Sequence, residues 1–199
     1  LFRNQAENLE LLDWLRQKIW PFEGRLTPKT LRLSAELGLA ELLKGGTTTI
    51  LDMGTVHHTD VIFEACEISG IRAFGGKAMM DEGEGIPDTL KESTENSLEE
   101  TLRLIDRWHG KANGRLRYAL APRFVLSCSE ALLREVALLS EQKNLIIHTH
   151  AAENQKESQA VIQKKGKHDI AYLQDVGICG PRSCFAHGIW LDEEAFKTL

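Results

Sequence analysis

Apolar residues recur at helical spacing at Leu9, Leu12, Leu15 and Ile19, and Trp20-Pro21 is expected to end that helix. Thr27-Pro28 sets an N-cap before a proline at the first helical position. That predicts a helix running to Lys44, where Gly45-Gly46 stops it. Thr47 to Met53 is short and β-branched and predicts a buried strand. A helix capped by Thr59 or Asp60 runs through Ile68 to Gly70, and Ile71 to Met79 is the next strand. The polar stretch Asp81 to Asp88 is a loop. A long helix from about Glu92 to His109 follows, with Leu98, Leu102, Ile105 and Trp108 on one face. Leu116 to Leu120 is a strand, Ser129 to Ser140 a helix, and Leu145 to His150 a strand. Asn154 to Lys164 and Asp169 to Asp175 are helical, Ser183 to His187 is the last strand, and Asp192 caps a helix.

Strand and helix therefore alternate, and the strands are continuously apolar, which is the signature of a parallel sheet covered by helices. The fold class is α/β, with no linker or repeat to divide the chain. Two architectures fit: part of a (β/α)8 barrel, or an open doubly wound sheet. No GxGxxG follows the first strand, which speaks against a dinucleotide-binding version of the second.

Composition changes little in this picture. The 199 residues are 42% hydrophobic and 27% charged, ordinary for a globular chain with a sizeable core. A net charge of −5 offers no electrostatic reason to bind nucleic acid or an anionic membrane. The longest apolar runs, such as Leu145-Ile146-Ile147, are too short to span a bilayer. Cys66, Cys128, Cys179 and Cys184 have no CxxC spacing and are expected to be reduced thiols in a cytoplasmic protein. The chain opens on Leu rather than Met and closes on a helix just begun, so a fragment is the expectation.

The chemistry-bearing residues lie just after the strands. His57-His58 follow the first, Lys77 and Asp81 the second, and Arg123 the third. His150 and Glu153 follow the fourth, and His187 ends the fifth. In a parallel barrel these positions open onto one face, the mouth where active sites are built. His148 and His150 are two apart and share a face of their strand, while Glu153 falls in the turn after it. Neutral imidazoles suit Zn²⁺ or Fe²⁺, and a nearby carboxylate can move protons from bound water. The alternative for each histidine is a strand-end side chain bonded to backbone, and for Arg123 a solvated charge at a turn. His109 and His168, at predicted helix ends, are expected on the surface.

The segments LLDWL…IWPFE, GTTTILDM, APRF..SCS, IIHTHAAEN and CFAHGIWL, in this order, resemble the aminohydrolase branch of the amidohydrolase superfamily over nearly the whole chain. That branch includes deaminases of methylthioadenosine, S-adenosylhomocysteine and 5′-deoxyadenosine, guanine deaminase and triazine chlorohydrolases. The resemblance implies a (β/α)8 barrel with one divalent metal, zinc first and iron second. It makes His150 a metal ligand and His148 only its neighbour. Glu153 becomes the general acid/base and His187 the residue that steadies the attacking hydroxide. Arg123 becomes a substrate contact, and Glu23 a carboxylate able to hold ribose hydroxyls.

One departure accompanies the resemblance. The expected HxH of the first strand and the Asp of the eighth are absent, so residues 1–199 would form a single domain that is part of the barrel. Such a piece supplies one of the four expected ligands and would be inactive alone. The implied reaction of the parent chain is hydrolytic deamination of a purine or purine nucleoside, a small-molecule substrate. Adenine nucleosides come first, on WHGKANGRLRYALAPRF and DIAYLQDVGICGP. Guanine is the second reading and a triazine the third; a metal-free binding protein on a decayed barrel is the non-enzymatic one. Homo-oligomers occur in the family, so the resemblance adds a second copy of the chain as an expected partner.

Overall fold

The computed structural model describes residue 2 and residues 8–199; the opening Leu1 lies outside them. The chain begins with α1 (Leu11–Trp14), a π-helical turn (Leu15–Ile19) and α2 (Trp20–Glu23). Then come α3 (Pro28–Lys44), β1 (Thr49–Asp52), α4 (Thr59–Ser69), β2 (Arg72–Gly75), β3 (Ala78–Met79) and α5 (Thr94–Trp108). A short turn, α6 (Lys111–Gly114), precedes β4 (Leu116–Tyr118), β5 (Ala121–Pro122) and α7 (Glu130–Lys143). The chain continues through β6 (Ile147–Ala151), α8 (Gln155–Lys165), α9 (Asp169–Asp175), β7 (Ser183–His187) and α10 (Glu193–Thr198).

Every strand pairing is parallel: β1 with β2, β2 with β4, β3 with β5, and β6 with β7. A bridge between Leu120 and Ile147 joins the β4–β5 run to β6. Among the described residues the strands thus lie side by side in chain order, with no reversal of the kind that defines a doubly wound sheet. The fold is an arc of a (β/α)8 barrel with its helices outside. The larger apolar core, including Phe63, Leu104, Leu116, Leu132, Leu133 and Ile147, lies between strands and helices. A second cluster of Leu15, Ile19, Trp20, Val56, Met80, Ile86, Leu90 and Phe124 seats the N-terminal helical run.

Local chemistry explains most boundaries. Thr27 caps α3 through a reciprocal pair of bonds with Thr30, and Gly45 follows the last turn. Ser93 and Ser129 cap α5 and α7, and Asp192 caps α10 by accepting from Ala195 N.

Four expectations need correction. The first helix does not stop at Trp20-Pro21: it runs on to Glu23, and the widened π turn before Pro21 accommodates a residue that lacks an N–H. Residue 58, not 59 or 60, is the cap of α4: His58 takes a left-handed conformation (φ 64°) and its side chain makes no capping bond. The strand expected over 71–79 is split at Gly76-Lys77. A Cβ on Gly76 would stand 1.9 Å from Ala119 O, so the two backbones meet closer than a side chain allows. On α5 the buried face is Ser97, Thr101, Leu104, Ile105 and Trp108, leaving Leu102 exposed; the helix is rotated from the stripe its leucines suggest.

Candidate functional site

The site starts at the end of β6, where alternation buries Ile147, Thr149 and Ala151 on one face and sets His148 and His150 half-buried on the other. His150 is anchored twice to Arg123: its backbone N–H donates to Arg123 O at 3.1 Å, and its Nδ1 lies 2.9 Å from the same oxygen. A carbonyl can only accept, so Nδ1 carries the proton and Nε2 keeps its lone pair. Burial holds the imidazole below its usual pKa, which favours the neutral ring that ligates metals.

Two turns then bring the remaining groups together. Ala152 (φ 53°) and His187 (φ 78°) both adopt left-handed backbone, uncommon for residues with a side chain. Glu153 Oε2 lies 3.4 Å from His187 Nε2, and the rings of His150 and His187 stack with centroids 5.4 Å apart. One donor atom each from His150, Glu153 and His187 falls within 4.8 Å of the others, a cluster able to hold a metal ion. His150 also shows the arrangement usual for a ligating histidine, its other nitrogen bonded to a backbone carbonyl.

Arg123 reaches the cluster from the turn after β5. Its guanidinium pairs with Glu23 at 2.7 Å, and both side chains are largely buried. The other oxygen of Glu23 accepts Val56 N–H at 3.0 Å, so this carboxylate ties the N-terminal run to the loop after β1. His150, Glu153, His187 and Arg123 line a cavity of about 250 Å³, closed by Leu11, Trp14, Leu15, Ile19 and Phe124. The helical spacing of Leu9, Leu12, Leu15 and Ile19 predicts the N-terminal helix but not its part in these walls. The signal was present in Trp14, set among the leucines of LLDWL and away from the predicted face.

Other candidates fall elsewhere. His148 stacks 6.4 Å from His150 and lines no wall of this cavity. Its buried Nδ1 lacks a partner among the described residues. His57 bonds Thr89 O and is exposed, and His58 serves α4. Lys77 is 1% exposed and grips Glu92 at 2.5 Å, a structural pair. Asp81 accepts from Ser129 N, Ser129 Oγ and Thr94 Oγ1 and so ties α5 to α7. His109 is exposed as expected, whereas His168 is not a free surface residue: its side chain is 14% exposed and faces Asp169 and Trp190 O. The four cysteines are free thiols, Cys66 and Cys128 buried and Cys184 exposed. No helix of the described residues is long and apolar enough to cross a membrane.

The family model for the amidohydrolase family matches residues 1–199. The chain belongs to the amidohydrolase family. It is 38% identical over all 199 residues to a 5′-deoxyadenosine deaminase of Methanothermobacter thermautotrophicus, covering 45% of that protein. It is 35% identical over 199 residues to a 5-methylthioadenosine/S-adenosylhomocysteine deaminase of Thermococcus kodakarensis, again covering 45%. Among solved structures, E. coli guanine deaminase superimposes with a TM-score of 0.88 at 34% identity, over 95% of this chain and 44% of that one. The chain thus spans less than half the length of the relatives it matches.

Proposed function

We propose that this chain is the central, single-domain arc of a metal-dependent aminohydrolase that removes the amino group from a purine nucleoside of the 5′-deoxyadenosine or methylthioadenosine type. The observation that carries the reading is the convergence of His150, Glu153, His187 and Arg123 on one apolar-walled cavity. Its chemistry suits a flat heterocycle: Trp14 and Phe124 among the walls, a guanidinium for a ring edge, and a proton carrier beside two imidazoles. Kinship with deaminases of adenine nucleosides over the full chain supports the substrate class.

A divalent metal fits the donor set, with zinc ahead of iron because imidazole nitrogens suit it. His150 would hold it through Nε2. The further ligands that the resemblance implies have no counterpart in residues 1–199 and would come from elsewhere in the polypeptide. When bound, such a metal lowers the pKa of water towards ~7 and polarises it for attack. Glu153 takes a proton from the attacking water and delivers it to a ring nitrogen as the C–O bond forms; it then passes a second proton, from the added hydroxyl, to the amino group as the C–N bond breaks and ammonia leaves. His187, whose Nε2 lies 3.4 Å from the Glu153 carboxylate, orients that water beside it. Arg123 fixes the ring edge, while Glu23, its two oxygens engaged by Arg123 and by Val56 N–H, holds Arg123 in place.

Ammonia release by the full-length protein, loaded with zinc, from 5′-deoxyadenosine, methylthioadenosine and guanine tests this. Turnover of either nucleoside, falling on the order of 10²–10⁴-fold in Glu153→Gln, is expected. Guanine as the sole substrate would replace the nucleoside reading with the guanine one. An undiminished Glu153→Gln would remove the assigned role.

A further inference from the structure

Behind Glu153 stand two carboxylates that do not themselves line the cavity. Glu157 on α8 and Asp169 at the start of α9 are each 1% exposed. Between them they take the three successive backbone N–H groups of the turn that carries Glu153. Ala152 N donates to Asp169 Oδ2 at 2.5 Å. Glu153 N and Asn154 N both donate to one oxygen of Glu157, Oε2, at 3.2 and 3.3 Å. The carbonyl of the same turn is bound from the other side: Ala152 O accepts Ile189 N and Trp190 N, each at 2.9 Å, from the segment that follows His187. His168 completes the circuit. Its Nε2 lies 3.1 Å from Trp190 O, and its Nδ1 approaches Asp169 Oδ1 to 2.6 Å without hydrogen-bond alignment.

A helix N-cap needs one reciprocal bond to its third residue, and Glu157 supplies it to Asn154. The second bond from Glu157, to Glu153 N, and the bond from Asp169 to Ala152 lie outside the helix. They hold a residue with φ 53° in a conformation that it would otherwise leave. Fixing that residue sets the direction of the next side chain.

We infer that Glu157 and Asp169 are positioning residues that hold the Glu153 carboxylate toward His187 by fixing the turn between β6 and α8. The inference rests on the proposed role of Glu153 in deamination. Because both N–H groups meet on one oxygen, the device needs the reach of the side chain and not its charge. A glutamine can place a carbonyl oxygen there; an aspartate, one methylene shorter, cannot.

The test uses the full-length, zinc-loaded protein with 5′-deoxyadenosine, methylthioadenosine and guanine as probes, and whichever is turned over serves throughout. Glu157→Asp is expected to lower kcat about 10–100-fold, with KM within roughly twofold, while Glu157→Gln stays close to the parent. In a Glu153→Gln background Glu157→Asp should cost nothing further, since it acts through a carboxylate already removed. Circular dichroism melts keep a folding failure separate; if Glu157→Asp does not fold, Asp169→Asn and Asp169→Ala, split in the same way, take its place. Equal losses in Glu157→Asp and Glu157→Gln, or an undiminished loss in the Glu153→Gln background, would overturn the positioning role. Full activity of Glu153→Gln alone would instead overturn the functional reading beneath it.

Discussion

The Nδ1 of His150 and the carbonyl oxygen of Arg123 lie 2.9 Å apart, although 27 positions separate them in the chain. The same oxygen accepts His150 N–H and Thr149 Oγ1 (3.3 Å), so the turn after β5 and the end of β6 are joined at one atom. That atom decides which nitrogen of His150 is free, and its residue also carries the guanidinium of the cavity. Positioning of the candidate ligand and of the candidate substrate contact is therefore one structural event.

His150→Gln in the full-length protein removes the free imidazole nitrogen while roughly preserving volume. Elemental analysis is expected to show bound metal falling well below one equivalent, with activity at least about 100-fold lower. His148→Gln should lose much less metal, since His148 lines no wall of the cavity. Equal metal loss in the two variants would mean that both histidines ligate.

The pair of Arg123 and Glu23 carries a different prediction. Their side chains are 13% and 6% exposed, so removing one partner leaves the other as an uncompensated buried charge. Arg123→Met is expected to destabilise the protein by about 3–5 kcal/mol. Arg123→Met with Glu23→Gln should recover a large part of that loss without recovering activity. Urea unfolding of the four proteins measures the coupling, and additive losses would show that the pair contributes little.

Lys77 and Glu92 form the comparison. Here too the pair is buried, at 1% and 7%, and burial opposes the lysine's charge while Glu92 sustains it. Glu92 also accepts Met80 N–H, so the pair ties β3 to the approach of α5. Lys77→Met should cost about 3–5 kcal/mol of stability, and the folded fraction should keep its kcat. A loss of kcat without a loss of stability would place Lys77 in the reaction after all.

How much of this was visible in the residues depends on the distance over which each feature is decided. Thr27-Pro28, Ser93, Ser129 and Asp192 announce their helices because capping is settled within four residues. Ser183–His187 is exact because a short apolar run between turns has few alternatives. His150, Glu153, His187 and Arg123 were legible as strand-end residues facing one mouth, but the same rule also named His57, Lys77 and Asp81, whose side chains bond away from the cavity. The pairing of Glu23 with Arg123 bridges 100 positions and leaves no local trace. The same holds for Glu157 and Asp169, which resemble ordinary acids at helix starts until the turn that they hold is seen. Pro21 misled for the opposite reason: the local rule was sound, and the tertiary demand to seat Trp20 and Ile19 over the mouth overrode it.

Glu157 gives the pH prediction. Burial first, and the neighbouring Asp169 second, push its carboxyl from 4.5 up to about 7, with Glu153 adding in the same direction. The folded protein therefore holds this proton more tightly than the unfolded chain, whose carboxyl releases it near the ordinary value. Stability from this group is fully present below pH ~4.5 and is lost as pH rises through about 7. The loss is on the order of 3 kcal/mol, from the rise between 4.5 and about 7 at 1.36 kcal/mol per pH unit. Asp169 and Glu153 face Glu157, and His168 sits beside Asp169. Melting midpoints of the full-length protein at fixed metal loading should fall from pH 5.5 to 7.5 (a range set about the ~7 midpoint). In Glu157→Gln, which cannot ionise, the same series should be flatter. A parent and variant with parallel pH profiles would mean that Glu157 is ionised throughout, and that the backbone N–H groups of Glu153 and Asn154 offset the cost of burying it.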